Sequence, residues 1–250
     1  MSLLSFHSDP AIKEKYLARV RSHAAADEIV QGATGQGGKG CAVWCTLDKY
    51  DHGAYQAELG IPIIIARLED RIFEGLTVAD SKAFPLAFLS SVPVGKDLSV
   101  VWKRFFVWLL VDSADGVVQF AKSGAATAAI RNVASLIEDS ITRTVGAEEF
   151  LAARRAAADA YVAAAAAAAD AAVAAYAAAY AAYAAYAAAD AAADAAAAAY
   201  AAAYAAYAAA YAADAAADAA AAADADADAG ARSLSFKKMG NKLISLMGEC

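Results

Sequence analysis

The chain has 250 residues, of which 61% are hydrophobic when alanine is counted, and a formal charge of −7 at pH 7. This length allows one or two domains, and without a basic patch the sequence argues against a nucleic-acid partner. Its three cysteines are too few for a disulfide framework. The first residues lack the charged start and cleavage site of a signal peptide, so we expect a cytoplasmic protein.

Residues 1–145 contain enough large apolar side chains to form one compact globular domain. Asp9-Pro10 predicts a helix start, with Asp9 as the cap and Pro10 at the first helical position. Apolar residues follow at helical spacing through Ile29 and Val30 as far as Gly32. A glycine-rich loop spans Gly32–Gly40, and the short apolar run Cys41–Leu47 predicts either a strand or a buried helical turn.

The rest of this domain predicts further helices, at Ala54–Leu59, Pro62–Leu76, Ser81–Val92, Leu98–Val111 and Ala125–Thr144. The fourth is apolar on nearly all sides, so we expect it at the centre of the domain. A second short strand is possible at Val117–Phe120. The alternating charges of Arg67, Glu69, Asp70 and Arg71 are typical of a solvated, salt-bridged face. The predicted class is mainly α, with room for one short β-hairpin.

An alanine tract from about Ala147 to Gly230 dominates the second half of the chain. Alanine has the highest helix propensity because it loses no side-chain entropy on becoming helical. No Gly or Pro lies between Gly146 and Gly230. Residues 146–230 therefore predict one long helix, roughly 125 Å at about 1.5 Å per residue, with Val145-Gly146 as the hinge leading into it.

The residues that interrupt the alanines step mostly by three or four, which places them on one stripe with the drift of a coiled-coil seam. Much of the pattern recurs after 24 residues, which duplication of a low-complexity DNA segment would also explain. Alanine faces allow close helix approach, and tyrosine can cover such a groove with its hydroxyl in water. We expect the stripe to pack on the amino-terminal region or, preferably, on another copy. The predicted interface residues are Tyr176, Tyr180, Tyr183, Tyr186, Tyr200, Tyr204, Tyr207 and Tyr211.

Three other interpretations of the tract fit less well. Residues 171–189 and 195–213 approach the length of a membrane span, but alanine is barely lipophilic and no basic flanks set an orientation. Alanine-rich ice-binding helices rely on a regular Thr face, and this tract has no Thr. Asp224, Asp226 and Asp228 could bind a metal, but alternating Asp is typical first of a frayed, solvated helix end before Gly230.

Residues 231–250 predict a short basic amphipathic helix centred on Ser233–Met247. Its Lys237, Lys238 and Lys242 could pair with the acidic edge of the tract, or with that of a neighbouring copy. The tail would then dock as a third element of the molecule.

Several segments together resemble a known family. They are Asp9-Pro10-Ala11-Ile12-Lys13, Lys39-Gly40-Cys41-Ala42-Val43, Glu58-Leu59-Gly60-Ile61-Pro62 with Ala66-Arg67-Leu68-Glu69-Asp70, and Trp108-Leu109-Leu110-Val111-Asp112. The chain is similar over nearly its whole length to bacteriophage and prophage hypothetical proteins with an alanine-rich tract of variable length and a short Lys/Leu tail. The resemblance implies a location in the cytoplasm of an infected or lysogenic bacterium. It brings no catalytic residues with it.

The glycine-rich loop is the first candidate ligand site. A P-loop needs Gly, four residues, then Gly-Lys and Ser or Thr, between a strand and a helix. Here Ala33 and Gly40 stand where the first Gly and the hydroxyl should be, and the loop follows a helix. A plain connector and a looser site, with backbone N–H groups facing a small anionic ligand, both remain open. The candidate ligand-binding residues are Gly35, Gly37, Gly38, Lys39, His52 and Arg67.

The cysteines give two further alternatives. Cys41 and Cys45 could bind a metal with His52 and His23, but their spacing is not that of a zinc ribbon, and small buried thiols are favoured. Cys45 paired with either histidine could form a nucleophile pair if the fold brings them together. From the sequence we therefore assign no metal ligand, no cofactor and no catalytic residue.

Three functional hypotheses follow. The first is a non-enzymatic phage accessory protein that self-associates through its alanine-rich helix. The second is a phage counter-defence protein that binds or sequesters a small anionic ligand of nucleotide type. The third is a cysteine-dependent enzyme. A membrane location and a nucleic-acid partner are not expected.

Overall fold

The computed structural model describes residues 3–121, 123–166 and 225–250. These residues are mainly helical, as the sequence predicts. The helices are α1 (Pro10–Ala25), α2 (Ala42–Leu47), α3 (His52–Leu59), α4 (Ile63–Gly75), α5 (Val78–Ser91), α6 (Val101–Val111), α7 (Gly124–Thr142), α8 (Ala147–Ala166) and a C-terminal helix (Ala225–Gly248). No helix in the described ranges is long and apolar enough to cross a membrane.

The β-hairpin that the sequence allowed is absent from the described part of the chain, where only isolated β-bridges occur. The apolar run after Cys41 forms α2, and Val117–Phe120 forms a 3₁₀ turn. Five of the six residues of α2 are buried. A short segment that is buried on nearly every side shows no periodicity that could distinguish a helix from a strand.

Side-chain caps fix where several helices begin. The Asp9 carboxylate accepts a hydrogen bond from the Ala11 N–H and precedes Pro10, as predicted. Asp51, Thr77 and Ser123 cap α3, α5 and α7 in the same way. Each side chain satisfies N–H groups that the first turn of a helix leaves without a partner.

The first helix ends earlier than predicted, at Ala25. Asp27 has a φ of 55°, and the Val30 N–H donates to the Gly40 carbonyl at 2.9 Å. Ile29 and Val30 therefore belong to the loop that precedes α2, although their spacing continues the helical pattern. A residue in the left-handed conformation interrupts a helix even where apolar residues continue at helical spacing beyond it.

The described chain divides into two compact units, Met1–Trp102 with Phe236–Cys250, and Lys103–Ser235. The division falls inside α6, whereas the sequence places the first boundary at residue 145. In the first unit α4 packs against α2, α3 and α5, and α1 packs against α2 and α5. The predicted inner face of α4 is buried: Ile64, Ile65, Leu68, Ile72 and Phe73.

The end of the chain belongs to the first unit. Phe236 is fully buried, and its ring lies so close to Gly75 that a Cβ there would be 2.2 Å from it. Lys237 forms a 2.9 Å ion pair with Asp80 on α5; a pairing of the tail with the acidic edge of the alanine tract stays a prediction. The tail thus docks through a buried aromatic ring and an ion pair at the surface.

In the second unit α7 packs against α8. The Gly146 N–H donates to the Glu149 carboxylate at 3.0 Å, which stabilises the start of α8 just after the predicted hinge. The tract is helical from there to Ala166. Residues 167–224 of the predicted long helix, which include its eight interface tyrosines, lie outside the described residues.

The predicted helix boundary at Gly230 is wrong, because the C-terminal helix runs through this residue from Ala225 to Gly248. A single glycine inside a helix costs about 1 kcal/mol relative to alanine. That cost is small enough for good helix formers on either side to offset it, so one Gly did not end the helix.

Candidate functional site

The polar side chains of helix α4 meet those of two preceding segments. Arg67, Asp70, Arg71 and Glu74 follow one another at steps of three, one and three residues, which places them on one side of the helix. All four are half-buried, whereas the sequence predicted a solvated face for Arg67, Asp70 and Arg71. The Nε atoms of Arg67 and Arg71 are buried without a hydrogen-bond partner.

Asp70 is held by two donors from the segment that leads into α3. Its Oδ2 lies 2.9 Å from Nε2 of His52 and accepts a hydrogen bond from the Tyr50 hydroxyl at 3.1 Å. Because a carboxylate only accepts, this contact places a proton on Nε2 of His52. His52 is only 4% exposed. The other oxygen of Asp70, Oδ1, is buried and has no hydrogen-bond partner.

Cys41 and Glu74 complete the cluster around Asp70. The Cys41 sulfur and one carboxylate oxygen each of Asp70 and Glu74 all lie within 4.8 Å of one another. Both oxygens of Glu74 accept the Gly32 N–H, at 3.1 and 2.9 Å. The start of the glycine loop therefore orients one carboxylate, while His52 and Tyr50 orient the other.

The electrostatics of this cluster favour protonated groups. Burial, and after it the negative charge of Asp70, raises the pKa of the Cys41 thiol well above its ordinary value. Burial is also the main cause that raises the pKa of Glu74, and the Gly32 hydrogen bond opposes it. Anionic side chains thus crowd a site from which water is largely excluded.

A second buried carboxyl group, Glu69, lies on the opposite side of α4. It is fully buried, and burial raises its pKa to about 8. The contact with the Tyr55 hydroxyl opposes this rise in the pKa of Glu69, although neither group makes a hydrogen bond of normal geometry. The sequence predicts a solvated Glu69, and that prediction is wrong because the residue faces the core with Ile65 and Ile72.

The glycine loop is closed around Trp44 and uses most of its own N–H groups. A Cβ at Gly35 would lie 2.2 Å from Nε1 of Trp44. Gly37 and Gly38, like Gly35, have positive φ angles. Within the loop, the N–H groups of Gly32, Thr34, Gly35, Lys39 and Gly40 donate to protein acceptors. These groups are therefore not free to surround an anion.

Of the predicted ligand residues, the structure places His52 and Arg67 in the neighbourhood of Asp70, because His52 bonds to it and the charge of Arg67 opposes the rise that burial and Asp70 cause in the pKa of Tyr50. Lys39 instead lies near Asp27, whose pKa is lowered mainly by Lys82 and to a smaller extent by the charge of Lys39. Asp70, Glu74 and Tyr50 were not predicted. In the sequence, the only sign of a site was the four-residue spacing that places the carboxylates of Asp70 and Glu74 on one face of α4.

Cys45 is separate from the Asp70 cluster. Its thiol donates to the Gly40 carbonyl at 3.3 Å. Burial, followed by the charge of Glu28, raises its pKa to about 12. His23 is engaged elsewhere, with Nδ1 2.6 Å from Glu28 and Nε2 3.1 Å from Asp48. A thiol of this kind carries almost no thiolate at neutral pH.

No family model, no curated protein and no solved structure matches this chain. The resemblance to phage and prophage proteins therefore stays a prediction, and the function is inferred from the residues alone.

Proposed function

We propose that this chain is a non-enzymatic accessory protein that self-associates through its alanine-rich tract, in the phage or prophage setting that the resemblance implies. The observation that carries the proposal is the stripe of tyrosines and aspartates in a tract that is otherwise alanine. A helix of this composition gains most of its stability by packing on another element. Helix α8 supports the proposal, because the tract begins as a helix.

The cysteine-dependent enzyme is less well supported. A cysteine nucleophile needs a lowered pKa and a neighbouring base. Burial raises the pKa of both Cys41 and Cys45, and the nearest charges that act on them are negative. His52 donates to Asp70 through Nε2. These conditions favour inert thiols.

An anion-binding function is also less well supported. Two carboxylates, Asp70 and Glu74, lie on the face of α4 beside His52, and the charges of Arg67 and Arg71 on that face offset them only in part, because the pKa of Glu74 stays raised; the remaining negative charge opposes the binding of a phosphate. The loop N–H groups named above already donate within the protein. The geometry therefore favours a cation over a nucleotide at this position.

The test of self-association is the mass of the full-length chain in solution, measured by light scattering at micromolar concentration. We expect a multiple of the 25.5 kDa chain mass. Replacing the eight predicted interface tyrosines by alanine should shift the population toward the monomer. Tyr50→Ala is the matched control, because Tyr50 is exposed and lies outside the tract. A clean monomer of 25.5 kDa for the wild-type chain would contradict the proposal.

A further inference from the structure

Three side chains from two helical segments of the first unit converge on one point. Asp70 and Glu74 are four residues apart on α4, so their carboxylates project from the same face. Cys41, which immediately precedes α2, brings a thiol to within 4.8 Å of an oxygen of each. A tetrahedral zinc site holds ligand atoms about 3.6 Å apart, given its bond lengths of about 2.0–2.3 Å. Side-chain movements of about 1 Å would therefore close the set around an ion.

Without a bound cation the negative charge of this arrangement is compensated only in part, because Arg71 lowers the pKa of Glu74 but burial still keeps it raised. Cys41 is 1% exposed, and its sulfur faces two carboxylates. Oδ1 of Asp70 is buried and accepts no hydrogen bond of normal geometry, which is destabilising for a buried polar atom. A positive ion at this point would give Oδ1 a partner and would turn the repulsion between the anionic groups into attraction.

The neighbouring contacts leave the ligand atoms available. His52 and Tyr50 both engage Oδ2 of Asp70, which keeps Oδ1 for a ligand. The Gly32 N–H fixes Glu74 while each of its oxygens retains a lone pair. Residues that hold the ligands of a metal in this way are a regular feature of protein metal sites.

We propose that Cys41, Asp70 and Glu74 bind a divalent transition-metal ion of the zinc class, with His52 as the residue that positions Asp70. A thiolate ligand selects Zn²⁺ or Co²⁺ over the hard ions Mg²⁺ and Ca²⁺. Three protein ligands leave a fourth position for water or an external ligand. Partial exposure of Asp70, at 15% of its side chain, gives the ion an entry path.

Binding breaks the S–H bond of Cys41 and forms a sulfur–metal bond, and the proton passes to the solvent. The positive charge of the ion takes the place of that proton and neutralises the negative charge of the buried thiolate. Calorimetric titrations in buffers of different ionisation enthalpy should therefore show proton release on binding. The inference is independent of self-association, because neither the ligands nor His52 lie in the tract.

The test uses the full-length chain, treated with a chelator and titrated with Zn²⁺ and with Co²⁺ as a spectroscopic probe. We expect one ion per chain and a near-ultraviolet charge-transfer band from thiolate to cobalt. Cys41→Ser should abolish that band. Cys45→Ser is the matched control, because Cys45 is equally buried, is close in sequence and bonds to Gly40 instead; it should keep the band.

Two further variants separate ligand from positioning roles. Glu74→Gln retains an oxygen for the Gly32 N–H but loses the charge, and should weaken Zn²⁺ binding by about tenfold or more. His52→Gln should weaken it by about 10–100-fold while the cobalt band keeps its position. Far-UV circular dichroism confirms that each variant folds. Failure of the wild-type chain to bind either ion at micromolar concentration overturns the proposal, as does a band that persists in Cys41→Ser.

Discussion

Glu69 and Asp70 are adjacent on α4 and chemically alike, yet they occupy opposite environments. Successive positions on a helix are about 100° apart, so one residue points into the core and the other toward α3. Glu69 is fully buried with no hydrogen bond of normal geometry. Asp70 has two donors on one oxygen. Of these two carboxyl groups, one is therefore kept neutral by burial and the other is held by neighbouring donors.

The largest expected effect concerns Glu69, the buried one of the two carboxyl groups. Because the pKa of Glu69 is raised from 4.5 to about 8 in the folded chain, the folded state keeps a proton that the unfolded state loses above pH 4.5. Stability should therefore fall as the pH rises through this window, by a few kcal/mol in total at about 1.4 kcal/mol per pKa unit.

Glu69→Gln removes that titration while keeping the size of the side chain. Urea unfolding of the chelator-treated chain at several pH values measures the difference. The wild-type free energy of unfolding should decline toward pH 8, whereas that of the variant should be flatter. Parallel curves for the two chains would show that Glu69 is not the group responsible.

The next effect concerns the donors around Asp70. Asp70→Ala leaves the Nε2–H of the buried His52 without an acceptor, which should lower the free energy of unfolding by about 1–3 kcal/mol. Asp70→Asn keeps an amide oxygen for that donor and should cost less. Thermal unfolding of the two variants gives the comparison, and equal losses for Ala and Asn would contradict the role of the hydrogen bonds.

The smallest effect is at the edge of the cluster. Tyr50→Phe removes one hydrogen bond to Asp70 from a residue that is 47% exposed. Water can replace the lost donor there, so the free energy of unfolding should fall by less than about 1 kcal/mol. Chemical denaturation at neutral pH measures it. A loss larger than that of Asp70→Ala would mean that Tyr50, and not His52, dominates the site.

Much of the fold could be predicted where local chemistry decides it. Asp9-Pro10 and the apolar period of α4 each placed a helix correctly. The end of α1 could not be predicted, because the positive φ of Asp27 and the bond from Val30 to Gly40 depend on the loop that follows. The continuation through Gly230 shows that one glycine is a weak stop signal.

The cluster around Asp70 was harder to predict, because charges of alternating sign after an apolar run are typical of a surface. Only the fold shows that Cys41 and His52 lie beside these charges. The sequence offered Cys41 and His52 as metal ligands only together with Cys45 and His23. The pairing that the structure shows is between one cysteine and carboxylates on a different helix, which linear spacing does not encode.

X-ray absorption of the zinc-loaded, full-length chain tests most directly whether the sulfur of Cys41 binds a metal ion together with Asp70 and Glu74 of α4. We expect a first coordination shell with one sulfur at about 2.3 Å and lighter oxygen ligands at about 2.0–2.2 Å. A shell without sulfur, or one with two sulfurs, would contradict the assignment of Cys41, Asp70 and Glu74.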